Sequence, residues 1–425
     1  MKILITGTTG ESMPPPYGGV PKLSLLCAAE WKKLEHQVAL TFVWRPENAD
    51  ELGAGAEYFF EFDSKPSKLK KIIYLVKYFA TNPALYISLL LSYAKILPRF
   101  SMETILYPAY GVQMNGVIKK FNPDVILSEA ALVKTFMVSK VARRNKVPVI
   151  FDTYAEIHDI SMGVNKNLDE IQRRNYWVEF LKNSDFIIAP GPYCCRGPLT
   201  YAPKEKIDYV YDGSDYGVLK LDLGDDKGVL RDLMKLPRDQ FLIGNVGAFE
   251  ARKGHDHLIK AIGMLKKQGH NVGAVICGGS GDRTKWINLA KEEGVEDRIH
   301  FFGRLSELDL GRVLKSLDAF SDLENTPRAC GLTMAILEGM ALGNPVVIFA
   351  NREMFEIVKE GENGFIVPID DTEELSKAIL KMSQLPVETR LAMGKISSEW
   401  ARKIDIEFTA KGKLEIFKKV INNYK

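Results

Sequence analysis

Phe320-Ser-Asp-Leu-Glu-Asn-Thr-Pro-Arg-Ala-Cys-Gly-Leu-Thr-Met-Ala-Ile-Leu-Glu-Gly-Met-Ala-Leu-Gly-Asn-Pro-Val-Val-Ile-Phe349 is the stretch on which the fold turns. An apolar strand, Ala319 to Leu323, runs into a polar loop. An apolar-periodic helix is then expected to start near Gly331 or Leu332 and run to Leu342. Asn344-Pro345 stops it, because proline cannot continue a helix, and Val346 to Phe349 forms the next strand. Short, continuously apolar strands separated by helices mark a parallel sheet covered on both faces.

The same alternation extends outward. Strands are predicted at Phe241 to Val246, Val272 to Cys277 and Ile299 to Phe302. Helices are predicted at His255 to Lys267, Arg283 to Glu293 and Leu308 to Ser316. Another starts at Thr372, with Asp371 and Glu374 in capping-box spacing. Nearer the N-terminus the pattern recurs, with strands at Lys2 to Thr6, His36 to Val43, Asp124 to Ser128, Val147 to Phe151 and Phe186 to Ala189. Lys22 to Leu34 reads as an amphipathic helix. The fold class expected is α/β, two Rossmann-like doubly wound domains. At 425 residues the chain is too long for one core. Residues 1–205 are read as the first domain and 206–405 as the second, and the last apolar-periodic stretch, roughly Ala410 to Ile421, is separate from the second sheet by pattern. Arg196 to Gly217, rich in Gly, Pro and Asp, reads as a hinge.

Composition narrows the function. The chain is 46% apolar and 26% charged, and a net charge of +3 gives no reason to invoke nucleic acid. Five cysteines, none in zinc-site spacing, fit a reducing, cytoplasmic compartment. Met1 to Gly7 reads as a strand rather than a secretory leader. The longest apolar stretch, Ala84 to Ala94, falls far short of the roughly 20 residues of a membrane span. There is no P-loop, no His-Glu-x-x-His, no Gly-x-Ser-x-Gly and no Asp-x-Asp, so neither a cofactor nor a metal is expected. His255 and His257, on either side of Asp256, read as surface histidines.

Segment 65–100 is distinctive. Lys65, Lys68, Lys70, Lys71, Lys77, Lys95 and Arg99 occur there with no acidic residue, interleaved with apolar and aromatic side chains. It reads either as the solvated face of helices packed on the first domain, or as a docking surface for an anionic membrane or acidic acceptor.

Candidate binding residues cluster at strand-to-helix turns. Gly18 and Gly19 precede the first helix, and Gly278 and Gly279 follow a strand; each pair allows a ligand close to backbone amides. Amides near Thr333, Met334 and Ala335, at a helix start, favour a diphosphate. Glu338, between Leu337 and Met340 in an apolar helix, needs a partner, and a ribose diol would suit it. Lys253, with Arg252 beside it, stands at another such turn, where a cation could neutralise a leaving phosphate.

In this order and spacing the windows resemble the glycogen-synthase-like family four of retaining glycosyltransferases, or glycosyl transferases group 1, with the GT-B fold. Val246-Gly247 through Arg252-Lys253-Gly254, Val275 to Gly281, Asp297 to Gly303 and Leu337 to Val347 resemble its second-domain elements. Gly18-Gly19-Val20, His36-Gln-Val and Asp212-Gly213-Ser214-Asp215 resemble its first-half marks. The resemblance implies a sugar nucleotide, UDP- or GDP-linked, held mostly on the second domain. Glu338 would hold the ribose. Lys253 and the amides near Thr333 and Met334 would hold the diphosphate, with Gly247, Gly279, Arg304, Gly331 and Leu332 also binding substrate, and the terminal helix 406–425 would cross back to the first domain. The acceptor would be a glycan or a lipid-linked one, as in polysaccharide biosynthesis, and the setting cytoplasmic or peripheral at the inner membrane face. Three departures stand out. Cys330 occupies the place of the family's sugar-contacting glutamate, and Ala248 that of the arginine after Val-Gly, with Arg252 as substitute. The first-domain histidine falls near Tyr154, with His158 as its stand-in. An inverting or epimerising GT-B relative and a non-catalytic nucleotide-sugar-binding subunit are the competing readings.

Overall fold

Runs such as Ile3-Leu4-Ile5 and Val346-Val347-Ile348-Phe349 present no face suited to water, and in the computed structural model they are fully buried strands. The structure describes residues 1–7, 19–42, 56–60, 67–95, 102–129, 132–153, 178–179, 181–217, 221–279, 281–325 and 331–424. The chain divides into two compact units, Met1–Tyr211 with Ile406–Lys425, and Asp212–Asp405.

The first unit contains β1 (Lys2–Thr6), β2 (Gln37–Phe42), β3 (Glu57–Phe60), β4 (Val125–Ser128), β5 (Val149–Asp152), β6 (Phe186–Ala189) and β7 (Ile207–Tyr209). They form one sheet in the order β3-β2-β1-β4-β5-β6-β7, with every pairing parallel. Its helices include α1 (Gly19–Lys33), α2 (Lys68–Thr81), α3 (Pro83–Ala94), α4 (Met102–Phe121) and α5 (Leu132–Arg144). Helices α2 and α3 meet at Asn82, whose side chain caps α3 by accepting from the Leu85 amide at 3.0 Å, with Pro83 in the first turn.

The second unit contains β8 (Phe241–Val246), β9 (Val272–Cys277), β10 (Ile299–Phe302), β11 (Ala319–Asp322), β12 (Val346–Phe349) and β13 (Gly364–Val367), again all parallel, in the order β10-β9-β8-β11-β12-β13. Its helices are α6 (Lys227–Leu233), α7 (His255–Lys267), α8 (Thr284–Glu292), α9 (Glu307–Ser316), α10 (Met334–Ala341), α11 (Thr372–Gln384) and α12 (Val387–Ala401). The strand order reverses between β8 and β11. Ligands of doubly wound sheets bind outside the carboxyl ends of strands at such a switch point. Helix α10 lies tight on the sheet: a Cβ on Gly339 would meet the Phe320 ring at 2.6 Å, so only glycine allows that approach.

A last helix, α13 (Ile406–Tyr424), belongs to the first unit. Trp31 of α1 donates its indole N–H to the Ala410 carbonyl at 2.9 Å and meets Phe417 edge-on at 5.2 Å. Lys413 Nζ lies 2.7 Å from Asp152 Oδ2, with both side chains buried. Among the described residues no helix is long and apolar enough to cross a membrane.

Two sequence expectations are corrected. Helix α10 begins at Met334, not near Gly331 or Leu332, because Thr333 adopts extended backbone and caps it, accepting from the Ile336 amide at 3.2 Å. His255 and His257 are not surface residues. His255 is fully buried between Phe249 and Trp286, and its Nε2 lies 3.0 Å from the Ala248 carbonyl. His257 packs on Phe349 and bonds Thr372.

Candidate functional site

The site is built at the carboxyl ends of β8 and β11. After β8 the chain makes a 3-10 turn, Ala251–Lys253, and Gly254 then opens α7 in the left-handed region at φ +64°. A Cβ there would meet the Leu323 carbonyl at 2.3 Å, so this turn is pressed against the end of β11. The Asn325 amide donates to the Arg252 carbonyl at 2.9 Å and ties the two loops together.

Between these loops sits an acid that the sequence reading did not single out. Glu324 is almost fully buried, and its Oε2 receives Lys253 Nζ at 2.6 Å. Arg252 Nη1 reaches the same carboxylate at 3.1 and 3.0 Å, while its Nε bonds Glu250 at 2.7 Å. Lys253 lies low across the turn: a Cβ on Gly247 would meet its Cδ at 3.1 Å. Gly247 therefore gives the lysine stem its path. The signal in the sequence was a pair of carboxylates two apart, Asp322 and Glu324, closing an apolar strand.

Asp322 holds the other side. Thr333 donates its hydroxyl to Asp322 Oδ2, so the cap of α10 is fixed to the end of β11. The first amides of α10, at Met334 and Ala335, have no acceptor within the helix, as at any helix start. Gly331 and Leu332, immediately before the cap, are buried.

Glu338 lies one turn further in and is buried. The Ser214 hydroxyl faces its Oε1 at 3.5 Å, and the same Oγ accepts from the Tyr216 amide at 3.2 Å. Gly213 beside it has no room for a side chain, since a Cβ would stand 2.3 Å from the Asp405 carbonyl. The Asp212-Gly213-Ser214-Asp215 mark and the apolar-helix glutamate thus meet in space.

A third group closes the far side. A Cβ on Gly278 would meet the Gly247 carbonyl at 2.5 Å and the Phe249 ring at 2.8 Å, and a Cβ on Gly279 would stand 3.7 Å from the Arg304 side chain. Burial pushes the Cys277 thiol up to about 12, which removes it as a nucleophile. The structure therefore brings together Gly247, Arg252 and Lys253, joins Thr333 and Met334 to the same strand end through Asp322, and pairs Gly279 with Arg304. Gly19 opens α1 in the first unit. Gly18, His158 and Cys330 lie outside the described residues.

The class this architecture defines is GT-B. The chain superposes on Anabaena Alr3699/HepE, solved in complex with UDP and glucose, with a TM-score of 0.71 at 16% identity, over 99% of this chain and 100% of that one. Residues 229–400 match the family Glycosyl transferases group 1, so the second unit carries a domain of that enzyme family. The lipopolysaccharide core biosynthesis glycosyltransferase LpsE of Rhizobium meliloti is 26% identical over 271 residues, 63% of this chain and 74% of its own length. The amylovoran biosynthesis glycosyltransferase AmsK of Erwinia amylovora is 27% identical over 313 residues, 68% of this chain and 71% of its own. In two further glycosyltransferase relatives, from Bacillus subtilis and Methanocaldococcus jannaschii, the matched stretch spans only 40% and 42% of the relative's length.

Proposed function

We propose that this protein is a retaining glycosyltransferase, moving a sugar from a nucleoside-diphosphate sugar to a glycan or lipid-linked acceptor without a metal ion. The observation that carries the reading is the meeting, at the β8–β11 switch point, of two cations with the strand end that anchors the start of α10. A diphosphate there would take the Met334 and Ala335 amides from one side and Lys253 and Arg252 from the other. The ribose diol would fall to Glu338, and the base to the turn around Gly279 and Arg304. The UDP-bound neighbour and the family match support a nucleotide-sugar donor.

In the transfer step the bond from the anomeric carbon to the phosphate oxygen breaks as the acceptor oxygen bonds that carbon on the same face. The acceptor's proton passes to the departing phosphate oxygen, so no side-chain base is needed. Lys253, Arg252 and the helix amides stabilise the charge that develops on the phosphate, which is where binding lowers a barrier. A lipid-linked acceptor would place the cytoplasmic chain at the inner face of a membrane, with segment 65–100 as the contacting part.

Thermal shift with UDP, GDP and their sugar conjugates tests the donor site, because a ligand of the folded state raises its melting point without any acceptor. At least one should stabilise the protein, and Lys253→Ala should abolish most of that shift. A melting point indifferent to all of them removes the proposal. Product analysis by NMR then decides stereochemistry: an inverted anomer excludes the retaining reading.

A further inference from the structure

Helix α2 has two apolar faces. The inner one, Tyr74, Leu75 and Tyr78, packs into the first unit's core. The outer one is left to solvent: Leu69 is 69% exposed, Ile72 54%, Ile73 51%, Val76 65% and Phe79 45%. At about 100° per residue these five fall within an arc of about 120°, facing away from the packed side chains. Helix α3 also turns apolar side chains to solvent: Ile87 and Leu91, one turn apart, are exposed, and no charged residue occurs within the helix.

The charges complete the pattern. On the helical wheel Lys68 flanks one edge of the α2 stripe and Lys70 and Lys77 flank the other, and Lys95 follows α3. From residue 67 to 95 there are five lysines and no Asp or Glu. A helix serving only as a lid on the core would turn polar residues outward. Here lysines border an aliphatic stripe, the arrangement in which apolar side chains enter a lipid surface while ammonium groups reach headgroup phosphates.

We infer that the outer face of α2 and α3 docks on an anionic phospholipid bilayer. Charge complementarity selects this occupant. A second copy of the same patch would set lysine against lysine with no carboxylate to relieve it. A nucleic acid would match the lysines but leave the aliphatic stripe unburied. The inference deepens the lipid-linked acceptor reading, since it supplies the surface from which such an acceptor is reached. It stands on exposed side chains of the first unit alone and not on the donor site.

The test is sedimentation of the full chain with phosphatidylcholine vesicles, with and without phosphatidylglycerol. The protein should pellet with the anionic vesicles and remain at least tenfold less bound to pure phosphatidylcholine. High salt should release it. Ile72→Ser with Val76→Ser, and separately Lys70→Glu with Lys77→Glu, should each cut binding at least tenfold. All four positions are outward-facing, so far-UV circular dichroism and the nucleotide-induced melting shift should stay as in the parent. Equal binding by parent and variants overturns the inference, as does no binding at low salt. Self-association in solution that Ile72→Ser/Val76→Ser removes, without vesicle binding, would assign the face to a second copy instead and overturn it equally. A vesicle result unchanged when no nucleotide shifts the melting point would leave docking standing and remove only the donor reading.

Discussion

Lys253 Nζ stands 2.6 Å from Glu324 Oε2, so the cation proposed to meet the donor's phosphate is already held by a buried carboxylate. The arrangement fixes where the ammonium points before any ligand arrives. It also sets a negative charge beside the expected diphosphate. Glu324→Gln should separate the two effects. Removing the charge should leave UDP or GDP binding equal or tighter, because like-charge repulsion is relieved. Turnover should drop about tenfold to a hundredfold as Lys253 loses its fixed position. Weakened nucleotide binding with unchanged kcat would contradict this role.

Glu338 makes a second, separable prediction. If its carboxylate takes the ribose hydroxyls, Glu338→Gln should weaken the nucleotide by about 1.5–3 kcal/mol, the worth of hydrogen bonds to a charged group. A 2′-deoxy nucleotide should lose much less from the same substitution. Isothermal titration of both ligands against both proteins reads the difference. Equal losses would mean that Glu338 acts only through its contact with Ser214.

Gly254 is constrained twice, by its left-handed backbone and by the Leu323 carbonyl 2.3 Å from any Cβ. Gly254→Ala should cost about 2 kcal/mol or more, the strain of αL backbone plus the displacement of β11's end. Urea unfolding should show a lower midpoint at unchanged slope. Gly269, also left-handed, has open space around its Cβ, so Gly269→Ala should cost less.

Stability should depend on pH through His255. Burial, the larger cause, and then Lys253 bring its value from 6.5 down to about 4, opposed by the bond to the Ala248 carbonyl. The unfolded chain therefore takes up a proton between pH 6.5 and about 4 that the folded protein refuses. Stability from this residue is whole above pH 6.5 and is lost as the pH falls, by about 2 kcal/mol at pH 5. Melting curves from pH 7.5 to 5 should show this decline, and His255→Gln should flatten it. An unchanged slope in the variant would place the dependence elsewhere.

The deeply buried strands could be read because they have no polar face. Phe186 to Ala189, Phe241 to Val246, Val272 to Cys277 and Val346 to Phe349 fall where their apolar runs put them. The edge strand β7 carried no such run. β7 is Ile207-Asp208-Tyr209, two of its three side chains exposed, and only its pairing with β6 makes it a strand. At the site, Lys253 and Glu338 were conspicuous as charges in apolar or glycine-rich settings. Glu324 was hidden, because its significance lies in Arg252 and Lys253, about 70 residues away in sequence, and pairing at that separation leaves no local periodicity to detect. Thr333 was expected to offer an amide and instead gives its side chain to the cap and to Asp322, since a hydroxyl can satisfy both partners.

The assignment of α13 to the first unit has a consequence for biogenesis. Asp212–Asp405 is an insertion within another folding body, entered and left at adjoining points: Thr409 Oγ1 bonds the Tyr211 carbonyl, and Ser214 bridges Asp405. On the ribosome the inserted body is complete before its host, whose Trp31 waits uncovered until Ala410 and Phe417 have been synthesised. A stop codon twenty residues early would thus damage the part of the protein made first.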